Sequence, residues 1–80
     1  MLTDYIEAAM RHAQFKVLPE DGNYFGEIPG FQGVWGYAPT IEECREELQE
    51  VLEEWIVFRL SEGLSVPVVD GIELAFGPAV

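Results

Sequence analysis

This chain is poor in everything that marks several common functional classes. Only four Lys and Arg stand against fifteen Asp and Glu, a formal net charge of −11 over eighty residues with a sequence pI near 4.1. Nucleic-acid affinity comes mostly from Lys and Arg contacts to phosphates, so direct binding to DNA or RNA is excluded as an expectation. There is one cysteine, Cys44, and one histidine, His12. A lone cysteine cannot close an internal disulfide, and the pair is too few for a zinc constellation, so neither a metal nor another cofactor is expected. No apolar run approaches the ~20 residues that a membrane span needs, and no basic segment leads an apolar one at the N-terminus. A cytoplasmic location and no membrane contact are the corresponding expectations. Repeats, low-complexity tracts and linkers are also missing.

What is present is an apolar-rich chain, 49% hydrophobic with two Trp, three Tyr and five Phe. Eighty residues make one domain, 1–80, because half that length would not sustain a core. Residues 3–13 have the three- and four-residue apolar spacing of a short amphipathic helix, with Tyr5, Ile6, Ala9, Met10 and Ala13 on one face. Three short aromatic and β-branched runs follow, 15–18, 24–28 and 33–37. The turn chemistry of Pro19–Asn23 and of Pro29-Gly30 separates them, which predicts a three-stranded antiparallel meander.

Residues 40–62 form the clearest element. Thr40 is placed to cap a helix with Glu43 completing a capping box, and Gly63 to end it. Ile41, Cys44, Leu48, Val51, Leu52 and Trp55 fall on one stripe, while Glu42, Glu46, Glu47, Glu50, Glu53 and Glu54 fill most of the remaining circumference. After Pro67, the alternation of Ile72, Leu74 and Phe76 with Glu73 and Ala75 predicts a last strand, 72–76. The sheet-and-helix core thus spans 14–63, in an α+β chain of order α-β-β-β-α-β.

Three groups of side chains are candidates for function. Arg45 falls at the edge of the apolar stripe, so few of the glutamates are offset within the helix, and Glu46, Glu50 and Glu53 are the partner-docking positions on its acidic face. Tyr24, Trp35 and Tyr37 are the alternative docking group, with Trp35 and Tyr37 on one face of the third strand, unless the N-terminal helix covers them. The end of the long helix, with Trp55, Val57, Phe58 and Leu60, is apolar nearly all round, with Val57 and Phe58 on different sides of the axis. Together with the open edge strands this predicts a homo-oligomer, at least a dimer. Arg59 is expected to bury its stem and reach a carboxylate. No catalytic residues are expected. His12 lacks a nucleophile or an acid partner in the sequence, and Cys44 reads as a buried structural thiol, although its place in the first helical turn could lower its pKa.

The run Gly26-Glu27-Ile28-Pro29-Gly30-Phe31-Gln32-Gly33-Val34-Trp35, followed by Pro39-Thr40-Ile41-Glu42-Glu43-Cys44, resembles the HicB family of type II toxin–antitoxin antitoxins. Trp55, Leu60, Gly63 and Pro67 continue the likeness, which covers roughly residues 14–70. It implies a partial ribonuclease-H-like fold whose last strand returns parallel to the first. It also implies a partner, a small basic HicA-type toxin that cleaves RNA, neutralised when the antitoxin covers its RNA-binding and catalytic surface. The chain departs from the family at Ala38-Pro39, at Cys44 and after Pro67, where it reads as a short form without a C-terminal DNA-binding domain. Nuclease activity is not expected, because Phe15-Lys16-Val17-Leu18 offers no strand carboxylate for a two-metal site. The rival readings are a stand-alone homo-oligomeric adaptor or structural protein without a toxin, and a residual hydrolase using His12 or Cys44.

Overall fold

A computed structural model of the protein describes residues 2–74. The elements run α1 (Leu2–Arg11), β1 (Gln14–Val17), β2 (Tyr24–Glu27), β3 (Trp35–Ala38) and α2 (Ile41–Ser61). The sheet has the order β1-β2-β3 and both pairings are antiparallel. This is the expected α+β meander with a long helix laid across one face.

The turns follow from their residues. Gly22 takes a φ of +74° at the β1–β2 connection, where the Asp21 carboxylate accepts the Asn23 amide hydrogen at 2.9 Å. Between β2 and β3 the chain makes two successive turns, Phe31 N–H to Ile28 O at 3.1 Å and Val34 N–H to Phe31 O at 3.3 Å. Gly30 and Gly33 supply the positive φ that these need. The third strand therefore starts at Trp35 rather than at Gly33, and the double turn drives Phe31 and Val34 inward, where both are buried.

At the head of α2, Thr40 Oγ1 accepts the Glu43 amide hydrogen at 3.1 Å and its hydroxyl faces the Glu43 carboxylate at the same distance, so the capping pair is formed. At the tail, Gly63 adopts φ +74° while Leu64 N–H reaches Arg59 O and Gly63 N–H reaches Leu60 O, a Schellman closure.

The helix lies unusually close to the sheet because two glycines face each other beneath it. Gly26 pairs with Gly36 across β2 and β3. A Cβ on Gly36 would stand 2.7 Å from Cys44 O and 2.9 Å from Leu48 N. The buried line on α2 is Cys44, Leu48, Leu52 and Ile56, each a turn apart, with Val51 and Trp55 half-buried beside it and Ile41 largely exposed. The stripe expected from the sequence holds in its middle and drifts at its ends. Residues four apart advance by 400° rather than 360°, so a four-residue row winds around the helix. Cys44 and Leu48 meet the sheet, and Leu52 and Ile56 extend the same core beyond the strands.

Helix α1 closes that core from the helix side. Tyr5, Ile6, Ala8, Ala9 and Met10 join Leu48, Leu52 and Ile56 around Phe31, whose ring lies edge-on to Tyr5 and tilted against Trp55 at 5.2 Å. The segment after α2 then turns back along α1. Val66 and Val69 are buried, and the Tyr5 hydroxyl donates to Pro67 O. Desolvation by burial raises the Tyr5 pKa, so this phenol stays a donor throughout the ordinary pH range.

The expected strand 72–76 is not part of the sheet over the residues described. Asp70 and Gly71, both at positive φ, fold the chain into a tight turn with a single bridge between Val69 and Ile72. Glu73 and Leu74 are unpaired, and residues 75 and 76 lie outside those described. Alternation alone did not show that Asp70-Gly71 would spend Ile72 on a local turn.

Candidate functional site

The outer face of α2 is a ridge of carboxylates. Glu46, Glu50 and Glu53 are all exposed, as are Glu42, Glu43, Glu47, Glu54 and Arg45. Among the described residues none of these glutamates forms an ion pair; Glu53 accepts a hydrogen bond from Gln49 Nε2 at 3.2 Å. At its C-terminal end the ridge opens into a shallow hollow of about 350 Å³ formed by Glu53, Glu54, Val57 and Phe58. Val57 and Phe58, on different sides of the helix axis, are each 60% exposed and line the same hollow. Neighbouring positions are only 100° apart, and both side chains lean over the same surface turn.

The other two helix-end candidates are turned inward. Trp55 is half-buried between Phe31 and Arg59, whose guanidinium lies 5.0 Å from the indole centroid, and Leu60 packs against the core. Arg59 Nε donates to Ser65 O at 2.8 Å, so its head is held by a backbone carbonyl and a ring rather than by the carboxylate expected. A cation–π contact and one carbonyl suffice for a guanidinium that stays partly in water.

The second surface is the sheet face turned away from α2. Register places Gln14, Lys16, Phe25, Glu27, Trp35 and Tyr37 on it together. Trp35 stacks on Phe25 at 6.0 Å, and Lys16 Nζ lies 5.6 Å from the Phe25 centroid. Trp35 remains 51% exposed and Tyr37 37% exposed, because α1 sits on the opposite side of the sheet. The Tyr37 hydroxyl donates to Asp21, which holds that carboxyl below its usual range and raises the phenol. Sequence reasoning found Trp35 and Tyr37 but grouped Tyr24 with them, which register turns to the α2 face beside Ala38. It missed Lys16, Phe25 and Glu27, since only the register reveals which residues of β1 and β2 join them.

His12 has an acid partner, contrary to expectation, because Asp70 lies far along the chain, and Cys44 is buried as expected. His12 Nε2 is 2.8 Å from Asp70 Oδ1, and Arg11 reaches Asp70 Oδ2 at 3.5 Å. The hydrogen bond from His12 is the main cause that lowers the Asp70 pKa, with the charges of His12 and Arg11 adding to it. His12 and Asp70 border a cleft of about 390 Å³ with Gln14, Pro29, Phe31 and Pro67, and none of its lining residues carries a hydroxyl or thiol. Cys44 is fully buried, and desolvation, then Glu47, raises its pKa. The thiolate-lowering effect of the first helical turn is outweighed. Among the described residues no three His, Cys, Asp or Glu side chains gather as a metal site requires, and no helix is long and apolar enough to cross a membrane.

A prediction follows from Asp70. A carboxylate whose pKa is lowered by folding stabilises the fold above its unfolded value, and that contribution is lost as the pH falls through the folded one. Hydrogen-exchange protection of the Val69 and Ile72 amides should fall below about pH 4 in the wild type. The Asp70→Asn chain should show weaker protection at neutral pH and no such step. An identical step in Asp70→Asn would show that another group controls the Val69–Ile72 turn.

A small acidic α+β module with two uncovered surfaces, one anionic and one aromatic, is what these features define. Residues 4–67 match the profile of the family described as UPF0150-like, and the chain belongs to that family. The crystal structure of TTHA0281 from Thermus thermophilus superposes with a TM-score of 0.89 at 35% sequence identity, over 96% of this chain and 95% of that one. A comparison with curated proteins gives no match.

Proposed function

We propose that the protein is a non-enzymatic binding module of the antitoxin type, acting in the cytoplasm on a small basic RNA-cleaving toxin of the HicA kind. One observation carries the reading. The α2 ridge presents seven glutamates between Ile41 and Ser61 against two arginines, with none of the glutamates in an ion pair among the described residues, and ends in an exposed Val57–Phe58 hollow. A basic RNA-binding surface would meet on this ridge a row of anions in place of phosphates, with an apolar anchor at one end. Membership of the UPF0150-like family, which is associated with HicB-like antitoxins, supports the same reading. Blocking would be by occlusion of the toxin's RNA-binding and catalytic surface, with no chemistry on this chain.

The test is the association rate with a small basic RNA-cleaving toxin of the HicA kind. Charge complementarity acts mainly on encounter, so Glu46→Lys, Glu50→Lys and Glu53→Lys together should slow association about 10–100-fold at low salt and flatten its salt dependence. An unchanged rate in the triple variant would remove the ridge from the interface and leave the sheet face around Trp35 and Tyr37. The alternative, a stand-alone homo-oligomeric adaptor without a toxin, is favoured by the uncovered aromatic face, and complete indifference to any basic partner would select it.

A further inference from the structure

The sheet face differs from the rest of the surface in charge, and that difference indicates its occupant. The molecule as a whole carries −11, so a second copy is repelled on approach by most routes. Of the six strand positions on this face, only Lys16 and Glu27 are charged, and they have opposite signs. Lys16 is the single lysine of the chain. Two more acids, Asp21 and Glu20, act on Tyr37 at the rim, and Asp21 accepts the hydrogen of the Tyr37 hydroxyl. A basic partner gains less from this face, which holds the single lysine of the chain, than from α2 with its seven glutamates. From this contrast we infer that the face formed by Lys16, Phe25, Glu27, Trp35 and Tyr37 is a two-fold docking surface for a second copy of this chain. The inference does not depend on the antitoxin reading, since the face lies on the side of the sheet opposite α2.

Two-fold symmetry makes the argument specific. In an isologous contact each residue meets a counterpart reciprocally, so an axis that bisects the line from Lys16 to Glu27 brings Lys16 of each copy over Glu27 of the other. The same operation lays the stacked Trp35 and Phe25 rings of the two copies together. This removes from water the aromatic area of Trp35 and Tyr37 that is exposed among the described residues. The helix-end hollow suits a second copy less well. Glu53 and Glu54 rim it, so self-association there would gather four carboxylates around two apolar pairs.

A complementation experiment on the full chain tests this. Sedimentation velocity on the wild type should give twice 9.0 kDa at micromolar concentration and dissociation on dilution. Dilution should also shift the Trp35 emission to the red, a readout that needs no variant. Lys16→Glu leaves two acids on the face and Glu27→Lys leaves two bases, so each variant alone should dissociate at least about tenfold more readily than the wild type. An equimolar mixture of the two should recover the dimer, because every contact across the axis is then between opposite charges. Far-UV circular dichroism of both single variants should match the wild type, since both positions are exposed. A 9.0 kDa species at every concentration would overturn the inference, as would single variants that remain dimeric or a mixture that stays monomeric. Loss of the dimer in Val57→Glu, with the Lys16 and Glu27 variants unaffected, would transfer the interface to the helix end.

Discussion

Replacing Leu52 by Ala is expected to lower the unfolding free energy by about 2–5 kcal/mol, the usual cost of a large-to-small change in a core that cannot fully collapse. Leu52 is fully buried where α2 runs on beyond Leu48, in a core that also takes in Tyr5, Phe31 and Ile56. A domain of this size holds about 4–12 kcal/mol in all, at the customary stability per residue. The substitution therefore removes a large share of it. Urea denaturation at one fixed protein concentration is the measurement, because an oligomer would make the midpoint depend on concentration. Val57→Ala, on the same helix but exposed, should stay within about 0.5 kcal/mol of the wild type. A Leu52→Ala midpoint indistinguishable from that of Val57→Ala would mean that α1 does not pack here.

Gly36→Ala is the second large effect, and here a single methyl group is added rather than removed. The new Cβ would lie 2.7 Å from Cys44 O and 2.9 Å from Leu48 N, and both are backbone atoms of α2 that can yield only if the helix lifts. Overpacking of this kind costs about 1–3 kcal/mol. The cross-strand partner provides the control. At Gly26 the nearest atoms are those of the Phe15 ring, at 2.6 and 2.7 Å, on a half-buried side chain that can swing aside. Gly26→Ala should therefore be the milder change of the two in the same denaturation series. The reverse order would show that the helix rests on Phe15 more firmly than on the Gly36 backbone.

Several features were legible because they depend on neighbours in the chain. The Thr40–Glu43 cap, the Gly63 terminus, the Gly22 turn and the amphipathic stripe of α2 all involve residues within about one helical turn or one β-turn. Their energetics are local, so spacing and residue type suffice. The exposed acidic face of α2 was readable in the same way. The acidic positions Glu46, Glu50 and Glu53 follow from 3.6 residues per turn alone.

What needed the tertiary structure depends on pairings between distant residues. Alternation placed Trp35 and Tyr37 on one side of β3, but nothing in the sequence stated whether α1 would lie over them. The structure answers through the glycines. With no Cβ at Gly36, α2 settles onto the opposite face, and α1 follows the apolar surface that α2 and Phe31 extend past the sheet. The same long-range logic paired His12 with Asp70, 58 residues apart, and spent Ile72 on a turn at Asp70-Gly71 instead of on a fourth strand. It also turned Trp55 and Leu60 inward while leaving Val57 and Phe58 to solvent. By itself, the sequence determined the class, the helix faces, the caps and the net charge of −11. Tertiary packing decided which apolar face stays uncovered, because burial follows from which surfaces meet, and hydrophobic attraction carries no direction of its own.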